Sequence, residues 1–213
     1  WPPHPDRVFQ ALVATWGERG EDPEERCALE WLETLGFPGM VVPEPVPHPD
    51  KYRGPVKVYV PVNDTSDVGK MDKGQFKPFS PIQDLGIGRD RKERFFPWIR
   101  VEDGICALVW PNAEMGSNQI ALERLCREVI RLGHSSSLVR CLVSETLPSA
   151  ITHVPVKQDL QREHSLRVSE VGRLDSLMEH RKAIEDKLIG DELPPRSRQV
   201  GYHRVAMNLS IPQ

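Results

Sequence analysis

The chain has 213 residues, 38% of them apolar, and a formal net charge of -3. That is enough for one large domain, or for a compact domain with an extension. No stretch approaches the roughly 20 apolar residues of a membrane span and no basic, apolar, small-residue leader is visible, so a cytoplasmic protein without membrane contact is expected. Cys27, Cys106, Cys126 and Cys141 lie far apart in apolar patterns. This is neither a CxxC metal spacing nor a disulfide frame, and the four are read as buried thiols.

In chain order, WPPHPDRVFQALVATW comes first. Val8, Phe9, Leu12, Val13 and Trp16 recur at helical spacing and Pro5 suits a first turn, so an amphipathic helix runs to about Gly17. PEERCALEWLETLG predicts a second helix with Ala28, Trp31, Leu32 and Leu35 inward, making a helical hairpin. Residues 18–33 hold seven acids and two bases. This acidic hairpin is expected to face away from any nucleic acid and to meet protein. Proline then dominates residues 38–55, read as extended surface chain, before VKVYVPV alternates as a strand. Residues 63–97 follow as a long insertion of little periodicity, the kind of segment a compact domain keeps for use.

ICALVW reads as a buried strand. SNQIALERLCREVIRLG is a helix with Leu122, Leu125, Cys126, Val129 and Leu132 on one face, and SLVRCLVS is another strand. Beyond it HVPVK and LRVSEV are strand-like, LDSLMEHRKAIEDKLI is helical and the end forms a strand. One core is expected to gather Val8, Leu12, Val13, Trp16, Leu108, Val109, Leu122, Leu125, Val129, Val139 and Leu142. The order helix, strand, insertion, strand, helix, strand is βαββαβ with its first strand removed. The fold class is therefore α+β, a ferredoxin-like, RRM-related domain whose first strand lies upstream of Trp1. Residues 1–144 form that domain, with the insertion at 63–97, and residues 145–213 extend it.

The blocks WPPHPDRVFQALVATW, ALEWLE, PVND, RKERFFP followed by LVWP, LGHSSSLVR, LRVSEVGRLDSL and RSRQVGY, in this order, resemble the fused Cas-five/Cas-six subunit of type I-G (formerly I-U) CRISPR Cascade complexes. The resemblance implies a ferredoxin-like RNA-binding protein for RNA-guided antiviral defence. Its N-terminal half would cap the 5′ handle of the crRNA, and a C-terminal half, absent here, would be the processing ribonuclease. Implied partners are the crRNA, the Cascade backbone and large subunits, and target DNA only indirectly through the complex. The insertion stands where the family's handle-gripping thumb would be.

The chemistry of the residues fits RNA. Between Gly69 and Arg100 there are eight bases and four acids. Single-stranded RNA needs cations along its phosphates and flat side chains for its bases. Lys70, Lys73 and Lys77 surround Phe76, while Arg89, Arg91, Arg94 and Arg100 surround Phe95, Phe96 and Trp98. A solvated loop anchored by its aromatics is the bland alternative, and Phe96 and Trp98 fit it better. His134, Ser135 and Ser136, with Ser137, form a helix-to-strand turn that either receives a phosphate or merely stops the helix. Arg196, Arg198, His203 and Arg204 meet RNA or a neighbouring subunit, and Arg7 is read as an ion-pair partner. No Walker motif, HExxH or paired-carboxylate site appears, so no metal and no cofactor is expected. The alternative function is a metal-independent endoribonuclease of CRISPR repeat RNA, for which His4 is the best placed base. His4 is equally explained as part of a rigid proline turn.

Overall fold

Helix formation at the start of the chain follows from the spacing of its apolar residues. In the computed structural model, α1 spans Pro5–Glu18, with Pro5 in the first turn, where no N–H partner is required. Phe9, Leu12, Val13 and Trp16 are buried along one face. The Trp16 indole donates to the Asp22 carbonyl at 2.9 Å. Asp22 in turn caps α2 (Pro23–Thr34), its Oδ1 accepting from the amides of Glu24 at 2.8 Å and Glu25 at 3.1 Å. The hairpin is thus closed by polar groups at the one point where two orphan amides need acceptors. Strand β1 (Gly39–Val41) follows directly.

The structure describes residues 1–45, 56–61, 71–72, 75–76, 91–96, 101, 104–133, 137–146, 148, 150–156, 162–189 and 193–208. The chain divides into two compact units, Trp1–Pro43 with Asp103–Gln213, and Glu44–Glu102. In the second unit β2 (Val56–Pro61) pairs antiparallel with β5 (Arg91–Phe96), and β3 (Met71–Asp72) pairs with β4 (Gln75–Phe76). The sequence shows no periodicity over RKERFF, yet it forms a six-residue strand because VKVYVP supplies its partner.

The first unit adds β6 (Ala107–Val109), α3 (Asn118–Glu128), β7 (Ala150–Pro155), β8 (His164–Val168), α4 (Arg173–Glu185) and β9 (Arg198–Asn208). It is α+β: four helices and a curled antiparallel sheet in the order β6-β1-β7-β9-β8. The helices enclose a core of Phe9, Leu12, Val13, Trp16, Leu29, Leu125, Val129 and Leu174. Met40, Val42, Leu166, Val168, Val200 and Tyr202 form a second cluster on the sheet, and Ala28, Ala121 and Leu122 a third. Each large apolar side chain so buried is worth about 1.5–3 kcal/mol. Burial pushes the Tyr202 phenol's pKa up, and its hydroxyl donates to the Pro38 carbonyl at 2.9 Å, tying β9 to the approach of β1.

Several expectations need correction. The apolar residues split into three clusters, and Leu142 is exposed. Cys27 and Cys106 are exposed, with Cys126 and Cys141 half-buried. Residues 39–41, read as surface chain, lie inside the sheet between β6 and β7, because Met40 supplies an apolar residue opposite Leu108 and His153. Among the described residues SLVRCLVS joins no sheet, its one bridge there being Arg131 to Leu138.

A buried polar node joins the elements. Arg173, at the start of α4, donates through Nε to Asp6 Oδ1 at 2.9 Å and through Nη2 to Asp6 Oδ2 at 3.1 Å, with both side chains at most 5% exposed. Ser197 Oγ and Gln10 Nε2 each donate to Asp6 Oδ2 at 2.6 Å, and Arg173 Nη1 donates to the Pro195 carbonyl at 2.7 Å. Glu33, buried at the end of α2, accepts from the amides of Gly172 at 2.9 Å and Leu174. Gly172 adopts φ 89°, a left-handed geometry that aims its amide at that carboxylate. Burial, outweighing the two amides, raises the Glu33 pKa.

Asp6→Ala strands a guanidinium in the interior and should cost about 3–5 kcal/mol in urea unfolding. Combining Asp6→Leu with Arg173→Met should recover much of that loss. For Glu33, alanine should cost about 1–3 kcal/mol by orphaning two buried amides. Glutamine keeps an acceptor and carries no charge to desolvate, so calorimetry should place it clearly above alanine.

Candidate nucleic-acid interface

The first surface to weigh is the β8–β9 ribbon. HSLRV alternates, with Leu166 and Val168 buried in the sheet cluster and Ser165 and Arg167 at the intervening positions, opposite Gly201 and Gln199 of β9. Gly201 is covered by neighbouring side chains. A β-carbon there would come within 3.0 Å of Arg162 Cβ and of Val156 Cγ2. Arg162 and Arg167 escaped the sequence analysis, although the alternation in HSLRV was the signal that could have found Arg167.

Among the basic residues singled out near the end of the chain, Arg196 is exposed. Arg198 pairs with Glu170 at 3.2 Å and lies 5.3 Å from the centroid of the Phe37 ring. Glu163 faces His203 Nδ1 at 3.4 Å and accepts from the Arg204 amide at 3.3 Å. Carboxylates therefore stand beside two of these four side chains, which weakens the local attraction for phosphate.

His4 has a structural partner. Its Nδ1 accepts from the backbone amide of Arg167 at 2.9 Å, binding the approach of α1 to β8. Burial, and then the charges of Arg167 and Arg7, lower its pKa, so the imidazole is neutral at pH 7 with its proton on Nε2. Arg7 is exposed, and its guanidinium lies close to Gly133.

The remaining candidates divide simply. Lys70, Lys73, Lys77, Arg89, Arg100, His134, Ser135 and Ser136 lie outside the described residues. Arg91 and Arg94 occupy β5, opposite Pro61 and Val58, and Phe76 occupies β4 opposite Met71. The basic residues of residues 69–100 thus fall largely in a compact unit of their own, Glu44–Glu102.

The acidic hairpin is less negative than its composition suggests. Glu21 pairs with Arg181 at 3.0 Å, Glu24 with Arg124 at 2.6 Å, Glu25 with Arg19 at 3.1 Å and Glu30 with Arg26 at 2.7 Å. Two of these arginines, Arg124 and Arg181, come from outside the hairpin, so the charge segregation seen along the chain is partly cancelled in space. Burial, first, and the neighbouring Cys141 push the Cys126 thiol up to about 12, and burial also raises Cys141, so neither is a thiolate at neutral pH. Among the described residues no group of three or more His, Cys, Asp or Glu is arranged to hold a metal, and no helix is long and apolar enough to cross a membrane.

The model of one protein family, described as CRISPR-associated protein, GSU0054 family, matches residues 1–207. The chain belongs to this family. The match takes in both compact units, and the protein therefore has a CRISPR-associated role. No curated protein and no solved structure matches it. In this CRISPR-associated chain the blocks WPPHPDR, ALEWLE, VGRLDSL and RSRQVGY meet in the interior: they supply Asp6, Glu33, Arg173 and Ser197 of the polar node.

The His4 contact generates a pH dependence. With its folded pKa below the ordinary 6.5, His4 binds fewer protons in the native state, so its contribution is intact above pH 6.5 and lost as pH falls below it. Urea unfolding at pH 7.5 and 5.5 should show a smaller drop for His4→Asn, which keeps an acceptor and cannot titrate, than for the unsubstituted protein.

Proposed function

We propose that this protein is an RNA-binding structural subunit of a type I-G Cascade complex, built on a ferredoxin-like domain, that caps and holds the 5′ handle of the crRNA. Family membership supports the CRISPR setting. The observation that carries the RNA reading is the compact unit Glu44–Glu102, inserted between the two parts of the main unit. Its β2–β5 ladder includes Lys57, Arg91, Lys92 and Arg94. Lys70, Lys73, Lys77, Arg89 and Arg100 follow or flank it in sequence, and Phe76 supplies a flat ring. In this reading residues 63–97 grip the handle, residues 1–144 form the RNA-binding domain and residues 145–213 extend it. The complex's backbone and large subunits are the protein partners, and His134, Ser135 and Ser136 take a phosphate at the turn after α3.

Replacing Lys70, Lys73 and Lys77 together with alanine should weaken crRNA binding and lower the log-log salt slope by about 2, at roughly 0.7 per phosphate contact on a single strand. Phe76→Ala should cost about 1–3 kcal/mol with little change in slope, since stacking releases no counterions. Unchanged affinity and slope in both folded variants would overturn the clamp.

The rival reading, a metal-independent endoribonuclease, would take His4 as its base. It requires repeat RNA to be cut in the presence of EDTA. The structural reading requires the RNA to be recovered intact.

A further inference from the structure

Arginines of the main unit divide by whether a carboxylate answers them. Arg19, Arg26, Arg124, Arg173, Arg181 and Arg198 each stand within ion-pair distance of an Asp or Glu. Arg7, exposed, and Arg167, half-buried, do not: among the described residues neither guanidinium makes an ion pair or a side-chain hydrogen bond. Arg131, Arg140 and Arg196 are exposed and unpaired there too, but no contact among the described residues brings them to a common point.

Arg7 and Arg167 share His4. The Arg7 amide donates to the His4 carbonyl at 3.0 Å, so the two residues stand one above the other at the start of α1, and the Arg167 amide donates to His4 Nδ1 at 2.9 Å. Both guanidinium charges act on the His4 ring. The carboxylate that also acts on it, Asp6, is committed to Arg173 in the buried node. Beside and opposite Arg167 on its face of the ribbon stand Ser165, Gln199 and Gly201, none of them acidic. Arg7 in turn rests against bare backbone, since a β-carbon built at Gly133 would lie 3.8 Å from its Cζ. With Nδ1 taken, the His4 proton is on Nε2, which makes no hydrogen bond among the described residues and is open to solvent.

We infer that His4, Arg7 and Arg167 form a phosphate seat on the main unit, holding one stretch of single-stranded RNA backbone by two guanidinium groups and the His4 Nε2–H. This rests on the RNA-binding role proposed for the protein. Two fixed cations without a carboxylate and one neutral donor match the charge and acceptors of successive phosphodiesters, and guanidinium forks suit phosphate oxygens. RNA contact is then not confined to the lysines of the unit Glu44–Glu102.

Fluorescence anisotropy on a single-stranded RNA carrying the repeat-derived 5′ handle, titrated across a salt series, tests the seat. Arg7→Ala with Arg167→Ala should weaken binding and lower the log-log salt slope by about 1.4, at roughly 0.7 per phosphate contact. The melting temperature should stay within about 2 °C of the unsubstituted protein, because neither guanidinium has a protein partner to lose. Arg7→Gln with Arg167→Gln should lower the slope equally, and it decides the matter where the alanine pair does not fold. Failure of both pairs to fold overturns the seat, since the two side chains would then be structural. Arg127→Ala removes a charge of the same sign from α3 and should leave the slope unchanged; an equal fall would mean net charge alone and overturns the seat. The variant lacking Lys70, Lys73 and Lys77 separates this inference from the clamp. A fall in that variant with none in the arginine pair overturns the seat and leaves the RNA reading standing. A fall in the arginine pair alone supports the seat and overturns the clamp, and no fall in either overturns both.

Discussion

Burying the Asp6–Arg173 pair constrains nearly everything else in the main unit. Two charges at most 5% exposed are tolerable only if they are paired and hydrogen-bonded, and the chain supplies partners from distant segments: Gln10 within α1, Pro195 and Ser197 before β9, and the start of α4 itself. Because the pair couples residue 6 to residue 173, the order of elements along the chain is locked to their arrangement in space. Glu33 extends the node by tying the end of α2 to the same helix start. Three helices and the approach to one strand thereby share a reference point around which the apolar clusters close.

That arrangement gives the recognisable sequence blocks a physical meaning. Asp6, Glu33, Arg173 and Ser197 come from four of them and meet as a polar core, so these blocks serve the scaffold. A neutral His4 works in the same way, its ring nitrogen satisfying an amide of β8. Residues that look chemically active in isolation are here committed to holding elements together.

Charge offers a parallel lesson. Along the chain the α1–α2 hairpin is strongly acidic, but Arg124 and Arg181 reach it from α3 and α4 and compensate Glu24 and Glu21. Each exposed pair contributes little to stability. Together they reduce the field that the hairpin would project, so a repulsive face cannot be inferred from composition. The same holds near Arg198 and His203, where Glu170 and Glu163 stand within ion-pair distance.

The amino-acid sequence by itself determined the helices and most of the strands. Spacing of Phe9, Leu12, Val13 and Trp16 is a local property, as is the alternation in HSLRV and the cap at Asp22. It also determined the α+β class, and the ordered blocks pointed to a CRISPR-associated family. Tertiary structure alone decided which strands are neighbours. Gly39–Val41 is too short to announce itself and becomes a strand because β6 and β7 flank it, whereas SLVRCLVS has every local mark of a strand and lacks a ladder among the described residues. It decided too that Asp6 and Arg173 are partners, since nothing local links residues 167 positions apart. Hydrogen-bond pairing between strands and the neutralisation of buried charge are both non-local: each depends on what the rest of the chain brings alongside, and no window of sequence contains that.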